Sequence, residues 1–399
     1  MQDCVVVLYD DYATLPAATV PHATKESFDM QLDELKGGVP WINIEGGPCA
    51  GKTTALAAIC QWCQDHGFTP IIVPEAATNL IGSGLDPTTP LFQELVLRNI
   101  VHDVSIRMEA IRAQSITKPV LIFDSGFARG RAYVSEAAFE KALDTVGLSF
   151  MAARDIYDGV IFLDSAAVGA EEFYTTANNE TRRETVEQAR EINQRTLDAW
   201  IGSPHIHPIP NIPNQTFEQK IRKCIKALAR SLGVPEPLEI ERKFLLHNFD
   251  LTQLEENVVP IDVLQTYLLN YDSAAERVRA RGQHDHWFYF NTIKQEVAPG
   301  VANELDRMIA HSMYERLLVR RMVDKSPIIK TRRCQVLHGH YLEFDSFHGH
   351  REGLHLLEVE VADLKDDLSM IIEQYDCTEV TSDPTYSNYA LADPVKKAA

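Results

Sequence analysis

The 399-residue chain is long for one domain and sets an expectation of two. Its 57 Asp+Glu against 38 Lys+Arg give a net charge of −19, which argues against general nucleic-acid binding. No run of about 18 apolar residues is present to span a bilayer, and the acidic start MQDCVVVLYDDYATLP lacks the basic n-region of a secretory leader. Seven scattered cysteines, an odd number, predict reduced thiols and a cytoplasmic protein.

Residues 1–39 carry no legible pattern. From 40 to 232, apolar runs at WINI (41–44), TPIIVPE (69–75), PVLIFD (119–124) and YDGVIFLD (157–164) alternate with helical stretches such as FQELVLRNIVHDVSIRMEAIRAQ. This predicts an α/β domain whose parallel sheet is covered on both faces. Cys60 and Cys63 form a lone CxxC, which reads as two thiols on a helix rather than a zinc site. A helix over roughly 215–232 puts Phe217, Ile221, Ile225, Leu228 and Leu232 on one stripe. Gly233 then stands at its C′ position and Pro235 and Pro237 stop it, so GVPEP marks the domain boundary.

Residues 46–53, GGPCAGKT, fit GxxxxGK[ST] between a predicted strand and a predicted helix. Gly46, Gly47 and Gly51 allow backbone amides to curl around phosphate oxygens at a helix N-terminus. Lys52 is expected to reach the β and γ phosphates of ATP or GTP, and Thr53, with Thr54 beside it, to offer a hydroxyl towards Mg²⁺. Asp124, ending its strand, is the expected Walker-B carboxylate for that metal. Glu75 ends a strand at the same rim and is either a base for a phosphate acceptor or a structural carboxylate. Arg182, Arg183 and Arg190 begin a basic helix after NNET, read either as a lid on phosphates or as a solvated face.

Four stretches, IEGGPCAGKTT, VPEAAT, AAVGAEEFYTTANNETRRE and DAWIGSPHIHPIPN, together resemble the P-loop domain shared by nicotinamide riboside kinases and the TRPL translocation defect protein family. The second family also joins this domain to one of the kind that follows here. Resemblance to it implies GTP and phosphatidic acid as ligands, with peripheral membrane contact. Such domains usually carry Asp-Arg-Gly after the third strand. Here the residues are Asp124-Ser125-Gly126, with Arg129 or Arg131 the candidate replacements. No NKxD guanine signature is present, so ATP and GTP both stay open.

The second domain, 236–392, opens on EIERKF. A strand alternates its faces, which puts Glu239, Glu241 and Lys243 on one side and Ile240, Arg242 and Phe244 on the other. The alternation recurs at Arg279/Arg281, Lys330/Arg332, Glu343/Asp345 and Glu358/Glu360, and Lys294 ends another strand. Converging charged faces predict an antiparallel β-barrel with a polar interior, with some helix around 302–318. Buried charge must be paired or ion-bound, so these acids and bases predict a divalent cation, Mg²⁺ or Mn²⁺, bridging a triphosphate.

ExExK, RAR, TIK, KTR, EFD and LEVEV, in that order, with the closing Tyr386 and Asn388, resemble the CYTH domain of the triphosphate tunnel metalloenzymes. The resemblance implies Glu239, Glu241, Asp345, Glu358 and Glu360 as metal ligands. It implies Lys243, Arg279, Arg281, Lys294, Lys330 and Arg332 as triphosphate ligands, with Lys243 and Arg279 also among the catalytic groups. Glu304 and Asp306 fall where such domains carry acidic residues, whereas Pro384 and Thr385 stand where relatives often carry bases.

Four histidine pairs, 205/207, 284/286, 338/340 and 348/350, read as turn or surface residues. Arg316, Arg320 and Arg321, on a predicted helix, form a candidate basic edge for phosphatidic acid. Two functions follow. One is a metal-dependent triphosphatase fused to a nucleotide-binding domain. The other is a GTP- and phosphatidic-acid-binding regulatory protein without turnover.

Overall fold

The computed structural model describes residues 35–394, apart from 175–183, 236–237, 255–257, 271–273, 285 and 362. Arg182 and Arg183 lie outside the described residues, as does nearly all of 1–39.

The first domain holds a five-stranded parallel sheet of β1 (Trp41–Gly46), β2 (Thr69–Val73), β3 (Pro119–Asp124), β4 (Gly159–Leu163) and β5 (Ile206–Ile209), ordered β2-β3-β1-β4-β5. β1 is buried along its whole length, and alternate side chains feed the two faces. Trp41 enters one apolar core, while Ile42 and Ile44 enter the other. Helices α1 (Lys52–Asp65) and α7 (Phe217–Ser231) cover the second face through Ile59, Cys63, Cys224 and Leu228. The first face is covered by α3 (Phe92–Ala113), α4 (Glu136–Val146), α5 (Phe150–Asp155) and α6 (Val186–Asp198), with α2 (Ala76–Gly82) at its edge. Both α6 and α7 start on a capping box, Thr185 with Gln188 and Thr216 with Gln219. The strand β5, IHPI, is not evident from the sequence pattern, because four residues with a proline carry too little alternation to read.

The second domain is a closed antiparallel barrel. Its strands are β6 (Leu238–Leu246), β7 (Val259–Leu268), β8 (Ala275–Gln283), β9 (His286–Ala298), β10 (Val301–Ile309), β11 (Ile328–Leu337), β12 (His340–Phe347) and β13 (His355–Glu360). They run β10-β9-β8-β7-β11-β12-β13-β6, and pairing of Ala302 with Glu239 closes the ring, while β14 (Cys377–Glu379) extends off β6. The helix expected around 302–318 is half strand. β10 runs to Ile309, pairing Glu304 with Lys294, and only α8 (His311–Leu318) is helical.

The two domains share one core. Ile261, Val263, Phe288, Phe290, Cys334 and Tyr341 of the barrel pack in the same buried cluster as Trp200, Ile201 and Ile206 of the first domain. Fully buried Arg154 clasps Asp155 and donates to the Ile201 carbonyl at 3.2 Å and to Gln283 Oε1 at 2.9 Å across the junction.

Candidate functional site

Two clusters carry the predicted chemistry. In the first, the loop between β1 and α1 is wedged among neighbours that leave no room for side chains. A Cβ on Gly47 would lie 2.6 Å from Asn193 Oδ1, and Gly51, at φ +90°, faces the Phe217 ring at the same distance. Lys220 of α7 braces the loop's underside, donating to the Asp164 carbonyl at 2.6 Å and to Asn211 Oδ1 at 2.7 Å, and burial pulls its pKa down to about 8. Thr53 and Thr54 follow, exposed, in the first turn of α1.

Lys52 Nζ donates to the Gly46 carbonyl at 3.2 Å, and Arg129 Nη1 donates to the same oxygen at 3.1 Å. Arg129, from the turn after β3, also pairs with Glu45 and stands 3.5 Å from Glu75. Arg131 turns away to Glu136 and stacks over Phe150. Of the two candidates to replace the missing Asp-Arg-Gly arginine, Arg129 therefore stands at the loop. Burial and the Arg129 charge lower the Lys52 pKa. Against burial, Lys52 and Arg129 hold the Glu75 carboxyl below its usual range, helped by a hydrogen bond from Thr78. Burial raises Asp124, whose Oδ1 has no hydrogen-bond partner among the described residues. Arg190 braces residues 167–171, donating to the Ala167 carbonyl and pairing with Glu171, each at 2.7 Å.

Glu45 is the residue that sequence reasoning missed here. Its side chain is fully buried between the loop and Arg129, and its signal was the one charged residue in a buried central strand.

The second cluster lines the barrel, around a cavity of about 40 Å³. Side chains fill most of it by pairing across the lumen. Lys294 touches Glu239 and stands 3.1 Å from Glu304 and 3.8 Å from Glu241. Lys243 lies 2.9 Å from Glu358 and 3.6 Å from Glu241. Arg332 grips Asp345 with two bonds of 2.7 Å and also reaches Glu343 and Glu358, while Lys330 pairs with Asp345. On β8, Arg277 meets Glu304 at 3.1 Å and Arg279 pairs with Asp306. Arg242 points outward to Glu379 at 2.7 Å, as the alternation of β6 requires.

Crowding divides the carboxylates. Burial and the Glu304 charge push Glu239 up to about 8, whereas Lys294, Arg277 and Arg279 overcome burial and hold Glu304 well below the carboxylate range. Lys243 is raised against burial by Glu358 and Glu241, and burial with the nearby Arg332 lowers Lys330. Several buried groups of the barrel stay under-satisfied. The Nε atoms of Arg277, Arg279 and Arg281, at successive inward positions of β8, have no acceptor among the described residues.

Glu360 stands apart from this set. It pairs with Arg230 of α7 at 2.6 Å and lies 3.4 Å from His207, both in the first domain. His207 is thus a junction residue rather than a surface one. His205 is half-buried within electrostatic reach of Asp306 and Arg281, and burial lowers its pKa. His284 and His338 do occupy turns, at φ +53° and +50°.

A hard divalent cation takes oxygen donors, and the barrel offers carboxylates. Among the described residues no three acidic, histidine or cysteine side chains are spaced to hold a metal ion directly, and the barrel's acids are turned onto bases. The chemistry of the donors fits a metal, and the Lys294 ammonium, set among three carboxylates, marks one place where a cation is already held.

The comparisons with known proteins agree in part. Residues 41–220 match the family model described as AAA domain, a P-loop type of nucleotide-binding domain. No curated protein matches the chain. Among solved structures, an inorganic triphosphatase is 30% identical, covering 39% of this chain and 93% of its own, at a TM-score of 0.28. A Pyrococcus horikoshii protein is 19% identical over 34% of this chain and 85% of its own, at a TM-score of 0.27. A Hippeastrum protein described as an adenylyl cyclase with a dominant triphosphatase activity is 13% identical over 35% and 90%, at 0.26. The chain therefore contains a P-loop-type domain of the AAA kind, followed by a closed antiparallel barrel.

Proposed function

We propose that the barrel binds and hydrolyses a triphosphate, tripolyphosphate or an organic triphosphate, and that the first domain binds a nucleoside triphosphate. The observation that carries this reading is the row of three arginines on β8 whose buried Nε–H groups lack acceptors among the described residues. Each unmet buried donor costs about 1–3 kcal/mol, and a polyanion lying along β8 satisfies all three.

The ligand enters by exchange. Lys294, Lys330 and Arg332 turn from carboxylates to phosphate oxygens, and the acids they release, Glu239, Glu241, Asp345 and Glu358, would hold Mg²⁺ or Mn²⁺. Such a cation, when bound, polarises a phosphoryl oxygen and lowers the pKa of water. The arginines and Lys243 orient the phosphates and stabilise charge that builds as a phosphoryl group leaves. In the first domain, Lys52, Arg129 and the loop amides take the nucleotide's phosphates, with Thr53 and Asp124 facing its magnesium. The test is phosphate release by the full chain from a panel of triphosphates, with Mg²⁺, with Mn²⁺ and with chelator. No release from any of them would sink the hydrolytic reading.

A second reading, contact with anionic lipid, is favoured by Val319 and Val323, which stand 85% and 93% exposed beside Arg321. The basic edge itself differs from expectation. α8 ends at Leu318, and Arg320 is spent on Glu276 and the Leu269 carbonyl, each at 2.7 Å. No described helix is long and apolar enough to cross a membrane.

A further inference from the structure

The barrel's two ends are closed by different means, and one is built from the other domain. Strand register pairs Arg281 with Val263 and Phe288, Arg279 with Phe290, and Arg332 with Ile261. Directly opposed residues share a face, so these apolar side chains point inward beside the charged set. The same side chains belong to the core that contains Trp200 and Ile201 of the first domain. At this end the lumen therefore runs into the apolar core shared with the neighbouring domain.

The polar groups at the seam complete the closure. Arg281, a lining residue only 4% exposed, donates through Nη2 to the Gly202 carbonyl at 3.0 Å. The Gly202 amide donates to Tyr341 Oη at 3.1 Å, and that hydroxyl donates to the Ser203 carbonyl at 3.2 Å. Gly202 has φ +95°, and a Cβ there would meet Arg154 Nη1 at 2.6 Å and Val259 at 3.0 Å, so the segment fits without slack. Opening this end would bring the shared apolar core into water. Across the lumen, the segment 384–392 supplies Asn388 to the cavity wall and packs Leu391 with Tyr267 and Phe347. Solvent reaches the cavity at Glu239, Glu241 and Lys294, each about a quarter exposed.

We propose that the first domain seals one end of the barrel, making the triphosphate site blind. It takes triphosphates with a free terminal phosphate, bare or esterified at one end, and rejects those esterified at both. A second substituent has no exit where the lumen meets Phe288, Phe290 and the Gly202 segment. This rests on the reading of the barrel as a triphosphate site.

The experiment uses the full chain carrying Lys52→Ala, so that the nucleotide loop does not contribute, with labelled imidotriphosphate as an unhydrolysable probe in Mg²⁺. Competitors are the β,γ-imido analogue of ATP, esterified at one end, and diadenosine tetraphosphate, esterified at both. The expected result is displacement by the first at concentrations near that of unlabelled probe. The second should need at least about 50-fold more, the scale of a substrate that the site cannot sterically admit. Displacement by both within threefold of each other would overturn the seal while leaving the triphosphate site standing. A probe that is not retained, or is retained equally by Arg279→Ala, would overturn both.

Discussion

Arg230 and Glu360 meet at 2.6 Å across the junction of the two domains, with His207 3.4 Å from the same carboxylate oxygen. Against burial, Arg230 and His207 hold the Glu360 carboxyl down at about 2, from an ordinary 4.5. A carboxyl depressed on folding stabilises the protein above its unfolded pKa, and that contribution is lost as pH falls through the folded value. The full shift is worth up to about 3 kcal/mol, and a side chain a quarter exposed keeps roughly 1–2 kcal/mol of it. Thermal unfolding of Glu360→Gln should show a deficit that is constant from pH 7 to about 5 and closes towards pH 2. A deficit that grows on acidification would contradict the pairing.

Among the described residues, Arg129 is the base that pairs with the buried Glu45. Arg129→Gln should cost about 3–5 kcal/mol in urea unfolding, the range for breaking a buried pair from one side. Adding Glu45→Gln should restore much of it, since no orphan charge then remains. Equal losses in the single and double variants would show that the pair is not what the residue supports.

Lys52→Ala should weaken binding of labelled ATP and GTP analogues to the full chain by about 10–100-fold, the value of one charge-assisted hydrogen bond. It should not lower stability, because burial already disfavours that ammonium. Unchanged affinity for both nucleotides would remove Lys52 from the phosphate site.

Glu239→Gln and Glu241→Gln keep shape and remove a carboxylate that a bound cation would draw on. Each should cut metal-dependent phosphate release from tripolyphosphate by about 100-fold or more, the effect of losing one preorganised charged group. The readout is release in Mg²⁺ and in Mn²⁺ beside wild type. Variants as active as wild type in both metals would exclude these glutamates from the cation's ligands.

Val319 and Val323 test the lipid reading. Inserting a valine into a bilayer interface gains at most about 2 kcal/mol, so wild type should sediment weakly with phosphatidic acid vesicles at low salt and less at physiological salt. The double change Val319→Asp with Val323→Asp should abolish it. Sedimentation that survives the double change would place lipid contact elsewhere.

What the sequence made legible follows from period. Glu239, Glu241 and Lys243 face the lumen and Arg242 faces out because a strand of nine residues has only two sides. The phosphate loop was legible because glycines, lysine and threonine stand in a fixed local order. Partners distant in sequence were not. Nothing near Glu360 points to Arg230, 130 positions earlier, and the LEVE alternation reads the same whether its last acid faces lumen or neighbour. Phe288 and Ile261 likewise read as ordinary strand residues, since period two gives a side chain's face but not what lies beyond the barrel's rim.

The shared core also bears on how the chain is made. Trp200 and Ile201 are synthesised about 60 residues before Ile261 and about 140 before Tyr341, which finish their burial. A nascent chain that has emerged only to residue 232 carries its complete parallel sheet but an uncovered apolar face at the future junction. Such a face is what attracts chaperones and promotes association between unfinished chains. Translation pauses placed between residues 232 and 341 would lengthen that exposure, whereas pauses after 341 would not.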